Sequence, residues 1–242
     1  MSQPRWTVLV PVKHLAAAKS RLRGALPGVP HEELALALAA DTLRAVLACP
    51  AVAEALVVTD DTRVAATARA AGARVLPDGP DAGLNAAFRH GAAGAAAEWV
   101  AALTADLPAL RPAELADALL AAELAGALLA AELAGALLTA ELAGTLLAAE
   151  NGRPAVRRFV PDAPGSGTTL LTAPPGVPLD PRFGVGSAVA HAASGALPLS
   201  GDWPSLRRDV DTAADLIAAT RLGLGPRTAE LVAATRPARA AG

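Results

Sequence analysis

One cysteine, Cys49, stands in 242 residues, so neither an internal disulfide nor a cysteine-based zinc site can form. A lone thiol of this kind reads as a small buried hydrophobe, and the composition suits a reducing cytoplasm. Aromatic residues make up 2% of the chain, three tryptophans, three phenylalanines and no tyrosine, which leaves almost no surface for stacking single-stranded nucleic acid. Neither sign of charge prevails. Twenty-one basic residues against twenty-three acidic ones give a net charge of −2, too little for a global field that would draw in nucleic acid or an anionic membrane. A polyanion would have to be met by local clusters. The opening MSQPRWTVLVPVK has no apolar core of signal-peptide length before its first proline and lysine, which predicts a cytoplasmic protein without anchor.

What is present is apolar: 53% hydrophobic residues, enough for a full core in one α/β domain of this length. Trp6 to Val12 is a continuous β-branched and apolar run, the mark of a strand buried on both faces. Helical spacing follows over His31 to Ala48. A strand over Ala55 to Thr59 leads to Asp61 or Thr62 as a helix cap. Arg74 to Leu76 reads as strand, Leu84 to Ala97 as helix and Val100 to Thr104 as strand. This βαβα order predicts a mostly parallel sheet with helices on both faces. Beyond it, Ala155 to Val160 and Thr168 to Thr172 read as strands, and Thr212 to Arg221 and Arg227 to Ala234 as closing helices.

Residues 113–150 break the pattern with a nine-residue repeat, AELADALLA, AELAGALLA, AELAGALLT, AELAGTLLA, AE, with glutamates at 114, 123, 132, 141 and 150. At about 100° per residue, nine residues turn a helix by about half a revolution, so the leucine pair changes side with each copy. Such a segment is expected to be a tandem expansion lengthening a surface helix inserted in a single domain spanning 1–242. Its exposed leucines would seek a partner, a second copy of the chain included. The recurring glutamates argue against a membrane span.

Ligands of an open α/β sheet bind beyond the carboxyl ends of its strands. Three clusters fall there. Lys13, Lys19, Arg21 and Arg23 follow the first strand, where they either meet a polyphosphate or form a solvated helix face. Asp106 ends the fourth strand. Asp209 and Asp211 lie two apart, so on a strand both side chains project to one face, and their repulsion calls for a cation or a shared proton. Magnesium suits such a pair, since it takes oxygen ligands and needs only one or two protein carboxylates plus substrate phosphates; salt links from Arg207 and Arg208 are the structural alternative.

PVKHLAAAKSRL at 11–22, GLN at 83–85, ADLPAL at 105–110, GSGTTLL at 165–171, RFGVGSAVAH at 182–191 and LRRDVDTAADL at 206–216 together resemble the guanylyltransferases of deazaflavin coenzyme (F-420) biosynthesis. The likeness spans nearly the whole chain in order, with the repeat as its one large departure. It implies a single-domain Rossmann-like nucleotidyltransferase fold of the GT-A type, and transfer of GMP from GTP to a three-carbon phospho-acid, phosphoenolpyruvate or 2-phospho-L-lactate. It further implies Mg²⁺ held by Asp106, Asp209 and Asp211, with Lys13, Lys19 and Arg21 facing the triphosphate and Asn85 and Asp60 near the nucleoside. Thr168, Gly184 and Ser187 would grip the acid. Gly167 and Gly186 would let backbone amides approach an anion, and Ser187 opens a predicted helix whose N-terminus favours negative charge. His14, His31 and His90 form no cluster, and His191, inside the resembling segment, is given no role beyond a solvent-facing position. Other GT-A enzymes acting on a sugar phosphate remain the alternative, although the glycine-rich loop common among nucleotidyltransferases for the molybdenum cofactor is replaced after the first strand by PVKHLAAAK. Phosphoenolpyruvate is preferred as acceptor because the alanine- and arginine-rich composition looks bacterial and of high GC content.

Overall fold

A computed structural model of the chain describes residues 6–16, 18–79, 83–97, 99–125 and 156–235. Its seven-stranded sheet has the order β3-β2-β1-β4-β6-β5-β7. The strands are β1 (Trp6–Pro11), β2 (Val52–Val58), β3 (Arg74–Leu76), β4 (Trp99–Leu103), β5 (Arg158–Pro161), β6 (Thr168–Ala173) and β7 (Leu197–Pro198). The first four pair in parallel. β6 runs antiparallel to β4 and β5, and β7 joins the edge parallel to β5. The sheet is therefore mixed and mostly parallel, as the βαβα order predicts.

Burial explains the strand sequences. Every residue of β1 is buried, with Trp6, Val8 and Val10 packed on one face and Leu9 on the other. The first face is covered by α1 (His31–Leu47), α2 (Thr62–Ala71) and α4, described over residues 112–125. The second face packs on Phe88 of α3 (Leu84–Ala93) and Ala188 of α5 (Ser187–Ala193). Cys49 lies buried in the first layer. In α4 the opening repeat copy contributes Leu115, Ala118 and Leu119 to the core, whereas Leu120 and Leu124 are exposed. Later copies, residues 126–150, lie outside the described residues. Among those described, no helix is long and apolar enough to cross a membrane.

Two expectations from sequence are adjusted, and one short strand is added. The helix expected to Ala97 stops at Ala93, where Gly94 takes the C-cap. β7 is two residues long and carries too little pattern to read. Residues 206–212 form no strand: Val210 donates its backbone N–H to Asp106 O at 3.0 Å, without a continuing ladder, so this stretch is an extended loop. The alternation survives, because Val210 is fully buried between a half-buried Asp209 and an exposed Asp211.

The closing helices α6 (Ala213–Leu222) and α7 (Pro226–Ala234) join α1 in one apolar cluster through Leu34 and Leu38 of α1, Leu216 and Ala219 of α6, and Leu231 and Val232 of α7. α7 has glycine at its N-cap and no cap of its own. Buried Asp41 of α1 supplies one, accepting from Arg227 N at 3.2 Å and Thr228 N at 2.8 Å. Asp41→Ala would leave those amides without an acceptor, and urea unfolding is expected to show a loss of about 2 kcal/mol; an unchanged midpoint would count against this cap.

Candidate active site

The chain builds β1, β2 and β3 to one side and then returns to place β4 on the other side of β1, so a topological switch point opens at the carboxyl ends of β1 and β4. β6 runs antiparallel to β4, with Leu103 paired to Leu170, so the start of β6 reaches the same edge. A cavity of about 570 Å³ occupies this position. Lys13, Lys19, Asp106, Asp209 and Asp211 line one part of it; Thr168, Gly184 and Ser187 line another.

Local bonds fix the acidic end. Leu107 N donates to the buried Thr42 hydroxyl of α1 at 2.9 Å, holding the turn that carries Asp106. The loop with Asp209 and Asp211 hangs from Asp106 O through Val210 N, while Glu114 of α4 accepts from Ser205 N at 2.8 Å and Leu206 N at 3.3 Å. The first glutamate of the repeat therefore steadies the acidic loop. Asp61 caps α2 through Arg63 N and Val64 N and also accepts Leu15 N at 3.0 Å, fixing the segment after β1. Burial alone would raise the Asp61 carboxyl, but these three amides hold it below its usual range.

Lys19 sits at φ 54°, a strained left-handed position for a residue with a side chain. Its ammonium bridges Asp106 Oδ2 and Asp211 Oδ1, the latter at 2.5 Å. Burial would depress the Lys19 pKa, yet the charges and hydrogen bonds of Asp106 and Asp211 outweigh it and hold the ammonium above its ordinary value. The cation paired with the acidic group is Lys19, whereas Arg207 donates to the carbonyls of Pro161 and Asp162 at 3.2 Å each. One ammonium does not balance the group. Burial, then the charges of Asp106, Asp211 and Asp162, push the Asp209 carboxyl up to about 7 against the pull of Lys19. Asp106 Oδ1 is buried without a hydrogen-bond partner. With Lys19 between two of the carboxylates, no group of three acidic or histidine side chains is gathered tightly enough among the described residues to enclose an ion by itself. An orphaned carboxylate oxygen beside a charge-starved aspartate nevertheless fits a divalent cation that completes its shell with substrate oxygens.

The remaining predicted residues divide. Lys13 ion-pairs with Asp78 beyond β3, a partner that carries no sequence signal because it lies in an irregular segment. Asp60 is exposed and accepts Asp78 N at 2.9 Å. Arg21 is exposed on a single 3₁₀ turn, Ser20–Leu22, away from the cavity lining. Asn85 does not line the cavity itself: its amide exchanges two hydrogen bonds with the backbone of Phe183, at 3.0 and 2.7 Å, and so fixes a wall of it.

At the hydroxyl end, Gly167, Gly184 and Gly186 line the cavity. A Cβ on Gly167 would stand 2.3 Å from Asp162 Oδ2, so the space freed there holds a carboxylate of the protein. Gly184 and Gly186 are required by φ 138° and 71°. The first amides of α5 are committed, Ser187 N to Gly184 O and Ala188 N to Ser166 O at 3.1 Å each, so the helix start offers an anion less than the sequence suggested. Asp162, which lines the cavity and accepts Ser166 N at 2.9 Å, was not legible in sequence, nor was His191. His191 is fully buried, 2.9 Å from Thr168 Oγ1 and 2.9 Å from Arg182 N.

Comparison with known proteins places this architecture. Residues 6–138 match the family model described as "Guanylyl transferase CofC like". The chain belongs to that family. The phosphoenolpyruvate guanylyltransferase of Salinispora arenicola is 63% identical over 232 residues, 96% of this chain and 95% of the relative. That of Geodermatophilus obscurus is 49% identical over 238 residues, 96% of each. Among solved structures, the 4-diphosphocytidyl-2C-methyl-D-erythritol synthase of Anaerococcus prevotii superposes with a TM-score of 0.52 at 9% identity, over 90% of this chain and 96% of that one. A cytidylyltransferase of Leptospira borgpetersenii gives 0.51 at 13%, over 96% and 93%. At these identities the structural neighbours share the nucleotidyltransferase fold with this CofC-like chain.

The Asp209 shift makes stability depend on pH. A carboxyl that binds its proton more tightly in the folded protein supports the fold fully below the ordinary carboxylate range and withdraws that support as pH rises through about 7. After chelation of divalent ions, Asp209→Asn is therefore expected to melt about 3 °C or more above the parent at pH 8 and level with it near pH 4. Equal melting temperatures at both pH values would show that Asp209 is not under charge stress.

Proposed function

We propose that this chain transfers GMP from GTP to the phosphate of phosphoenolpyruvate, giving enolpyruvoyl-2-diphospho-5′-guanosine and pyrophosphate in the biosynthesis of coenzyme F-420. The observation that carries the reading is the division of one cavity into an acidic, lysine-bearing end and a hydroxyl end, in a chain 63% identical to a phosphoenolpyruvate guanylyltransferase. The relatives' names favour phosphoenolpyruvate over 2-phospho-L-lactate and over sugar phosphates.

The acceptor needs little activation. A phosphate monoester has its second pKa near 6, so at neutral pH it is largely a dianion and needs no general base. Its oxygen attacks the α-phosphorus of GTP in line; the P–O bond to the β-phosphate breaks and pyrophosphate leaves with the bonding pair. The protein contributes alignment and charge neutralisation. Asp106, Asp209 and Asp211 are the side chains that would hold Mg²⁺, which when bound neutralises triphosphate oxygens and the departing pyrophosphate. With those carboxylates neutralised, the Lys19 ammonium is available to the triphosphate, and Lys13 approaches it from the end of β1. Thr168 and Ser187 receive the acid at the far end. The reaction is placed in the cytoplasm, with GTP and the phospho-acid as partners and no role for nucleic acid or a membrane.

Purified protein with Mg²⁺, each nucleoside triphosphate and each three-carbon phospho-acid, followed by mass spectrometry, should yield the guanylylated product and pyrophosphate from GTP and phosphoenolpyruvate. Pyrophosphate release only with sugar phosphates would overturn the assignment. Asp211→Ala is expected to lower kcat by about 100-fold or more, and unimpaired turnover would remove the acidic group from the mechanism.

A further inference from the structure

Thr168 and His191 form a pair whose hydrogen positions can be deduced. Arg182 N lies 2.9 Å from His191 Nε2, and a backbone amide can only donate, so Nε2 must be the unprotonated acceptor. The ring is fully buried, and Phe183 meets it edge-on with centroids 5.1 Å apart. Burial first, then the charge of Arg157, with a smaller contribution from Arg182, outweigh Asp180 and the backbone of Ser187 one helical turn earlier and push its pKa down to about 4, so the ring is neutral at physiological pH. A neutral imidazole with Nε2 bare carries its proton on Nδ1. That Nδ1–H faces Thr168 Oγ1 at 2.9 Å.

The consequence falls on the threonine. Its oxygen accepts from His191, so its own hydrogen cannot be directed at the ring. No other partner takes the Thr168 hydroxyl among the described residues, and Thr168 lines the cavity beside Ser187. Resting on the functional reading above, we propose that His191 is a positioning residue that fixes the Thr168 hydroxyl as a hydrogen-bond donor to an anionic oxygen of the phospho-acid. The nucleotide end of the cavity is untouched by this pair. An isolated threonine hydroxyl rotates and can accept as readily as donate; one whose oxygen is held by a buried N–H has its donating role selected in advance. Arg182 and the Asn85-bound Phe183 are consecutive, so the loop that walls the cavity also sets the tautomer of the ring.

Two substitutions separate the two ring nitrogens. His191→Asn can place an amide N–H where Nδ1–H stood and so keep the donor to Thr168, while losing the acceptor for Arg182 N. His191→Gln can keep that acceptor and lose the donor to Thr168. His191→Gln is expected to raise the KM for phosphoenolpyruvate about tenfold with the KM for GTP unchanged, and His191→Asn to restore it to within about twofold of the parent. In a Thr168→Val background His191→Gln should add nothing. Equal losses in both variants, a parallel rise in the KM for GTP, or additive effects in the double variant would reduce His191 to a packing residue and overturn the proposal. Selective ¹⁵N-histidine NMR of the unaltered protein reads the tautomer without substrate and decides the matter should a variant fail to fold: Nδ1–H supports the proposal, and Nε2–H or an imidazolium at pH 7 refutes it. Absence of turnover by the unaltered enzyme would strike the functional reading alone, since the tautomer is measured independently.

Discussion

Too many carboxylates for the available cation is the constraint around which this molecule is arranged. Asp106, Asp209 and Asp211 face one cavity with Asp162 close enough to add to their repulsion, and Lys19 answers two of them from a left-handed backbone position. The fold supports that tension from several directions. Thr42 holds the Asp106 turn, Asp61 holds the segment before Lys19, and Glu114 holds the loop before Asp209. A site so held keeps its charges together at a cost to stability, and a polyanionic substrate with its counter-ion relieves that cost on binding. Proteins tolerate such local strain where the arrangement serves chemistry.

The same logic separates the two ends of the cavity. On the proposed reading, full charges at the acidic end meet a triphosphate whose own charge changes during transfer, and neutralisation is what lowers the barrier. At the hydroxyl end, the phospho-acid of the proposed reaction needs orientation. Hydroxyl donors supply it without adding a cation that would compete for the nucleotide. The Asp162 carboxylate at this end is tied to Ser166 N and tucked into the space left by Gly167, which keeps it directed toward its own turn.

Much of this was legible in the sequence, and the reasons are physical. The parallel half of the sheet announced itself because strands buried on both faces must be continuously apolar, as Val8, Leu9 and Val10 are. Asp106 and the Asp209–Asp211 pair stood out because carboxylates at strand ends beside buried valine or leucine need a reason. The strand expected for 209–211 is a loop, yet burial of Val210 gives the same alternation that a strand would. Other features depend on contacts distant in the chain, and no local pattern reveals them. Asn85 finds Phe183 across 98 positions, Lys13 finds Asp78 across 65, and the commitment of the first α5 amides depends on Gly184 and Ser166. His191 resembled a surface residue because helix position alone does not say which face is covered; Phe159 and Phe183 cover it. Glu114 belongs to a low-complexity repeat, which conceals that its carboxylate bonds to the loop before Asp209.

The central claim is that the uncompensated charge of Asp106, Asp209 and Asp211 is a seat for a divalent ion alongside a nucleoside triphosphate. Anomalous diffraction at the manganese edge, from crystals grown with Mn²⁺ and a non-hydrolysable GTP analogue, tests it most directly. The account predicts a peak within bonding distance of Asp106 and at least one of Asp209 and Asp211, with the Lys19 ammonium withdrawn from between Asp106 and Asp211. Nucleotide in the cavity with Lys19 still bridging those two carboxylates, and no peak beside them, would contradict it.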